Sequence, residues 1–316
     1  MWRLARLPGS STRIRRRNTS ELRRSLSIIK ATALEILSEP LSLLVLLAAL
    51  VITVLAPAFH YHQFGEATRM ARDAGLSSVF TCGTVIAIFG TIRAFRREIE
   101  SGTMAMALAH PVSRTAFFLA KAGGACAAYL VFAASVFLAA LVIVDGAEIG
   151  GAIAAKSGDI ARLHGPNFAE GVGVIVLPLL LAAAFNRFAR FRFVLSSFAL
   201  AFLLSIAFAG LSVLRDAAWL LRLLPVAALI GMFALVLLSA SAAVAVRLKA
   251  NAAASAAGVV LLVLLPVIGN YYMAEALSKG GVVPWFYVGC AALAALPAVL
   301  FFLLLGIHFI NGRDVS

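Results

Sequence analysis

Residues 122–144 read AGGACAAYLVFAASVFLAALVIV, a run without a charged side chain that decides the fold. A helix needs about 20 apolar residues to cross the hydrocarbon core of a bilayer, whereas a strand of a membrane barrel needs only about ten residues of alternating character. This run is long and continuous. It therefore predicts a membrane-spanning helix and not a barrel strand.

The composition extends this prediction to the whole chain. The 316 residues are 62% hydrophobic and only 13% charged, and their mean hydropathy is +1.00. Apolar residues make up only about half of an ordinary soluble domain. We therefore predict an all-α integral membrane protein, a polytopic bundle of helices.

Comparable apolar runs recur along the sequence. Eight spans are predicted, at residues 41–59, 76–92, 122–144, 171–185, 193–214, 223–246, 252–273 and 282–310. Six full spans are expected instead if residues 193–246 form a re-entrant or interfacial pair. The transmembrane domain is thus residues 40–310, and the polar residues 145–170 within it are predicted to be an exposed loop, with a short surface helix as an alternative.

The region before the first span divides into two parts. Residues 1–17 are rich in arginine and are predicted to be a basic cytoplasmic tail. Residues 18–39 place apolar side chains three and four apart, which predicts an amphipathic helix whose start is capped by Asn18 and Glu21. We expect this helix to lie in the membrane interface until Pro40 turns the chain into the bilayer. An amphipathic cytosolic helix without membrane contact is the alternative.

The basic residues predict the orientation. Most of the 27 lysines and arginines fall in one set of segments, residues 1–40, 93–121, 186–192, 247–251 and 311–316. Basic residues beside membrane spans are retained on the cytoplasmic side. Both termini, including the C-terminal residues 311–316, and the segment 93–121 are therefore expected on the cytoplasmic side of the cell (inner) membrane. The same rule explains the net charge of +13 without a nucleic-acid partner.

The sequence offers little catalytic or metal-binding chemistry. His60 and His62 form an HxH pair, but no further ligands with zinc-like spacing accompany it, so we interpret both as interfacial histidines. Cys82, Cys126 and Cys290 lie in apolar runs and are interpreted as packed thiols. No metal site, catalytic residue or bound cofactor is predicted for this chain.

The sequence also lacks its own means of using ATP. No G-x-x-x-x-G-K-[ST] phosphate-binding loop and no H-E-x-x-H motif occurs. The spans hold few ionisable residues, which argues against a channel or an ion-coupled carrier. If this protein uses energy, another subunit must supply it.

A set of small residues lies near the start of the run 122–144. Gly123, Gly124, Ala127 and Ala128 are spaced so that they occupy adjacent helix faces. Small side chains allow close approach of membrane helices. The pattern predicts a packing surface, either within the chain or along a dimer seam.

The segment 96–114, RREIESGTMAMALAHPVSR, is polar and turn-rich between two apolar runs, which indicates a docking element. A short helix is predicted at residues 104–109, capped by Thr103 or Ser101 and ended by Pro111. Its adaptable apolar side chains are Met104, Met106 and Leu108.

The charged residues of this segment have two interpretations. Glu98 and Glu100 are predicted to pair either with basic groups of a partner or with Arg96 and Arg97 beside them. Alternatively, they form a solvated cluster that anchors the second span, because surface ion pairs contribute only about 0–1 kcal/mol. Ser113 is predicted to cap the third span.

The stretch REIESGTMAMALAHPVSRTAFFLAK resembles the loop between the second and third spans of ABC-2 type permeases. The matching positions are Glu98, Glu100, Ser101, Gly102, Thr103, Pro111, Val112, Ser113, Arg114 and Lys121. The amphipathic helix is similar to the elbow helix of that family, so the resemblance covers roughly residues 20–144. Family members typically have six spans, and spans four and five look like an added pair.

The resemblance implies the membrane subunit of an ATP-driven exporter. Two such chains, identical or different, would pair, and each would seat its loop on a separate ATPase subunit that carries ATP and Mg²⁺. The implied docking residues are Glu98, Glu100, Ser101, Gly102, Thr103, Met104, Met106, Leu108, Pro111, Ser113 and Arg114. The alternative is a non-transporting membrane scaffold or assembly factor that holds a cytosolic partner with the same loop.

Overall fold

The computed structural model describes residues 10–55, 67–101, 113–157, 165–215, 218–248 and 283–312. These residues form helices, with no strand among them. The helices are α1 Ser10–Leu37, α2 Pro40–Leu55, α3 Ala67–Val85, α4 Thr91–Glu100, α5 Arg114–Ser157, α6 Gly165–Ala189, α7 Phe193–Arg215, α8 Ala218–Arg247 and α9 Trp285–Asn311. The all-α prediction is confirmed for this part of the chain.

Several of these helices have the length and hydropathy of membrane spans. In the described ranges, six stretches qualify: Thr68–Glu100, Arg114–Ala147, Gly171–Ala189, Phe193–Leu214, Leu220–Arg247 and Trp285–Asn311. The bent pair Arg23–Leu37 and Pro40–Leu55, which meet at 65°, would make a seventh if it counts as one span. The predicted span 252–273 lies outside the described residues. The helices indicate a multi-pass membrane protein.

The boundaries of α1 and α5 differ from the predictions. Helix α1 begins at Ser10, so Asn18 lies inside it; residues 10–17 contain no glycine or proline, and arginine is a good helix former. Helix α5 continues to Ser157, so residues 145–157 are helical where an exposed loop was expected. Isolated glycines cost a helix only about 1 kcal/mol each, which the rest of so long a helix can absorb.

Helices α3 and α4 form one continuous span interrupted by a π-helical turn at Ile86–Gly90. The span then remains helical through Glu100. The first part of the predicted docking segment, including Glu98 and Glu100, is therefore a helical extension of the second span. Such π turns occur often at functional sites.

Helix α5 is the centre of the bundle, because it contacts every other helix that the structure describes. Several of its large side chains are fully buried, namely Phe118, Tyr129, Phe132 and Val136. A displacement at either end of α5 would therefore be felt by all of its neighbours.

The small residues of α5 pack within the chain. Gly124 faces α1 so closely that a Cβ atom there would lie 2.6 Å from Cβ of Thr32 and 2.7 Å from the carbonyl oxygen of Ile29. Gly123 faces the Ile29 side chain, and Ala128 is fully buried. Within the chain, these two glycines therefore bring α1 against α5.

We expect Gly124→Val to destabilise the protein by about 2 kcal/mol, because the added methyl groups overpack a backbone contact. Gly210→Val is the matched control, since a Cβ at Gly210 has no neighbouring atom within 4 Å. Thermal unfolding of the two purified variants in detergent checks this. Equal unfolding temperatures would contradict the close α1–α5 contact.

Candidate functional site

The candidate site lies where the end of α4 meets the beginning of α5. The ends of α1, α8 and α9 also reach this place, so five helix termini converge. An apolar cluster that includes Ile92, Phe95, Phe118 and Ile310 fills the space between them. The site therefore rests on a packed base.

A buried ion pair links α4 to α5. Lys121 Nζ lies 2.6 Å from Glu98 Oε1, and the Lys121 side chain is fully buried whereas that of Glu98 is 30% exposed. Burying a lysine costs several kcal/mol unless a close counter-ion compensates it. The structure supplies that counter-ion from the neighbouring helix, on the other side of the segment 102–112.

Aromatic rings surround the buried ammonium group. Lys121 Nζ lies 5.8 Å from the ring centre of Phe95 and 5.9 Å from that of Phe117, distances at which a cation is attracted by the ring face. Phe118 packs on Phe95 with ring centres 5.4 Å apart. The ring of Phe118 also touches Gly306 of α9, where a larger residue would force the helices apart. These rings fix the position of Lys121.

Two arginines of α4 reach across to α1 and its bend. Arg93 Nε lies 2.9 Å from Glu39 Oε1, and Arg97 lies 3.3 Å from Glu35 Oε1. Both arginine side chains are mainly exposed. Burial raises the pKa of Glu39, and the nearby Arg93 partly opposes that rise. The two pairs hold the bend between α1 and α2 against α4.

The two predicted docking acids have different environments. Glu98 points toward Lys121 in the base, whereas Glu100 is 59% exposed and lies 3.5 Å from Arg96 of its own helix. The sequence predicted Arg96 and Arg97 as the local partners of both acids. Only the Arg96–Glu100 pair is found, because Arg97 turns to Glu35 and Glu98 to Lys121.

The start of α5 is fixed by a cap and by α9. The backbone N–H of Ala116 donates to Ser113 Oγ at 3.1 Å, which confirms the predicted cap of the third span. Arg114 donates to the carbonyl oxygen of Asn311 at 3.3 Å. A cation at the carboxyl end of a helix is also favoured by the helix dipole. Helix α9 is thereby attached to the base of α5.

Part of the predicted docking segment is not described. Ser101, whose N–H donates to the carbonyl oxygen of Arg97 at 3.0 Å, ends α4, and Ser113 precedes α5. The predicted docking residues between them, Gly102, Thr103, Met104, Met106, Leu108 and Pro111, lie outside the described residues, as do His60 and His62. The structure thus gives the two anchors of the segment.

Lys121 is the site residue that the sequence-based docking set omitted. Lys121 is a charged residue within an apolar helix, and it is one of the positions that match the loop pattern of ABC-2 type permeases. The sequence therefore contained the information needed to select it. Its partner was not evident, because Glu98 is separated from it by the turn-rich segment. The site therefore depends on a contact between two helices that local patterns do not reveal.

The polar contacts of the site join the ends of helices. Over the part of the chain that the structure describes, no group of three or more histidine, cysteine or acidic side chains could hold a metal ion. The site consists of ion pairs and caps that join helix ends.

Comparison of the chain with protein-family models, curated proteins and solved structures gave no match.

Proposed function

We propose that this chain is the membrane-spanning permease subunit of an ATP-driven ABC-2 type exporter. Residues 96–114 dock on a separate ATPase subunit, which carries ATP and Mg²⁺. The observation that supports the proposal best is the buried Lys121–Glu98 pair, because it anchors both ends of the docking segment to the bundle.

The anchoring fits a segment that transmits force. If the docking segment were not attached to the bundle, movement of the bound ATPase would move only that segment. Here the segment leaves α4, which continues into the span α3, and enters α5, which contacts every other described helix. Movement of a docked partner would therefore tilt or shift two spans together.

The ion pairs assign different tasks to the two acids. The charge of Glu98 is compensated within the chain, so Glu98 serves as an anchor. The carboxylate of Glu100 is exposed and only weakly paired, so it is free to meet a basic group on the ATPase. The proposed contact also includes Ser101, Gly102, Thr103, the apolar residues Met104, Met106 and Leu108, and the exit residues Pro111, Ser113 and Arg114.

A second permease chain, identical or different, is also proposed. Only 6% of the apolar window of α9 and 17% of that of α6 is buried inside the chain. Lipid covers such faces, and a second chain replaces lipid over part of them. With both termini in the cytoplasm and α1 as an interfacial elbow helix, the docking segment faces the cytoplasmic ATPase.

The test is affinity purification of the full chain from its native membranes, followed by reconstitution into vesicles. We expect an ATPase subunit to co-purify and the vesicles to show ATP-dependent export of a solute. Absence of any ATPase from the complex, with no nucleotide-binding subunit encoded nearby, contradicts the proposal. A bound ATPase without ATP-dependent flux supports the scaffold alternative.

A further inference from the structure

A cleft of about 560 Å³ lies beside the bend between α1 and α2, against the π turn and α4. It is distinct from the Lys121–Glu98 pair, which does not line it. Its lining contains three arginines, Arg93, Arg96 and Arg97, and two acids, Glu39 and Glu100. A site of this volume is large enough for a small-molecule headgroup.

Arg96, the buried arginine of the cleft, has a donor without an acceptor among the described residues. Arg96 is only 8% exposed, its Nε makes no hydrogen bond to any described residue, and Glu100 Oε1 lies 3.5 Å away. A guanidinium carries five N–H donors, so one distant carboxylate leaves donors for another acceptor. Arg93 and Arg97 are mainly exposed, and each is paired with one acid, Glu39 and Glu35 respectively, so each keeps further N–H donors at the rim.

Most of the remaining lining of the cleft is apolar. Leu41 comes from the first turn of α2, and Val85, Ile86 and Phe89 come from the π turn and the residue before it. The π turn thus brings apolar side chains into the same cleft as the arginines. A ligand that fills this cleft must carry an acidic oxygen-rich group at one end and hydrocarbon at the other.

We propose that this cleft binds the headgroup of an anionic phospholipid, with the phosphate on Arg96 and Arg93 and the start of an acyl chain against Ile86 and Phe89. Arginine matches the geometry of phosphate oxygens. The position fits, because the cleft lies where the span Thr68–Glu100 ends and α2 begins. The bound lipid fastens the α1–α2 bend to α4.

Native mass spectrometry of the purified full chain tests this inference without the ATPase. Phosphatidylglycerol and phosphatidylcholine with identical acyl chains are titrated separately, and inorganic phosphate serves as the competitor. We expect a bound phosphatidylglycerol with at least about tenfold preference over phosphatidylcholine, since each basic residue near a membrane surface contributes about fivefold. Millimolar phosphate is expected not to displace it, because phosphate lacks the hydrocarbon part.

Variants locate the site. Arg96→Gln and Arg93→Gln should each weaken phosphatidylglycerol binding roughly fivefold. The matched control is Arg187→Gln, an exposed arginine outside the cleft in the last turn of α6, and its binding should be unchanged. Photo-crosslinking of wild-type protein with a diazirine-labelled phosphatidylglycerol should modify residues near Leu41 or Phe89, which locates the lipid even if a variant does not fold.

Three results would overturn the inference. Equal binding of the two lipids would show that the charge of the headgroup does not determine binding. Displacement by phosphate would show that the cleft binds a free anion. Crosslinks elsewhere on the chain would place the lipid outside the cleft. None of these results bears on the proposed ATPase partner, so the lipid site and the proposed function fail separately.

Discussion

Lys121→Met should destabilise the protein by about 3 kcal/mol. The change keeps most of the side-chain volume but leaves the Glu98 carboxylate without its counter-ion. Breaking a buried pair by removing one partner typically costs about 3–5 kcal/mol, and the 30% exposure of Glu98 places the expected value at the lower end. Unfolding of the purified variant in detergent measures it.

Two further variants make this prediction specific. The double variant Lys121→Met with Glu98→Gln should recover at least about 1 kcal/mol, because it removes both charges together. Arg97→Gln breaks the exposed Arg97–Glu35 pair, in which Arg97 is 66% exposed, and should cost below about 1 kcal/mol. If Lys121→Met costs no more than Arg97→Gln, the pair does not anchor the segment.

The spans were largely predictable from the sequence because they depend on local composition. A continuous apolar run favours a helix in lipid whatever its neighbours are, since backbone groups must be satisfied within the segment. The predicted span 193–214, for example, corresponds to Phe193–Leu214. The span ends were less predictable. Arginines and glutamates that look like a loop also form good helix, and α4 therefore extends to Glu100.

The contacts of the candidate site could not be predicted in the same way. The pairs Arg93–Glu39 and Lys121–Glu98 join segments that are distant in sequence. For each acid, the sequence offered several basic residues as possible partners. The choice depends on the rotation of α4, which the π turn at Ile86–Gly90 sets. No local sequence pattern predicts that π turn. The role of Gly124 was left open for a related reason, since its partner Thr32 lies on another helix.

Glu100→Lys should reduce ATP-dependent transport by at least about tenfold, provided that the chain is the proposed permease. A tenfold loss corresponds to about 1.4 kcal/mol, which reversal of one interfacial charge readily supplies. The expected change in stability is small, because the Glu100 side chain is 59% exposed and lies as far as 3.5 Å from the largely buried Arg96, and i,i+4 pairs on helices contribute about 0.3–0.5 kcal/mol. Loss of transport therefore cannot be attributed to unfolding.

Asp73→Lys is the matched control for this reversal. Asp73 lies near the other end of the same span, is 42% exposed and pairs with the adjacent Arg72. The two variants thus change the net charge equally, at opposite ends of Thr68–Glu100. Transport should fall only in Glu100→Lys, and retention of the ATPase on the purified chain should fall with it.

The two readouts distinguish docking from force transmission. If Glu100→Lys loses both the ATPase and transport, Glu100 contributes to binding. Gly102→Pro, two residues beyond the end of α4, should instead redirect the segment, because proline fixes its own backbone and restricts Ser101 before it. It should retain at least part of the bound ATPase while transport is lost. Normal transport in both variants would contradict the docking role, whatever the stability of the Lys121–Glu98 anchor.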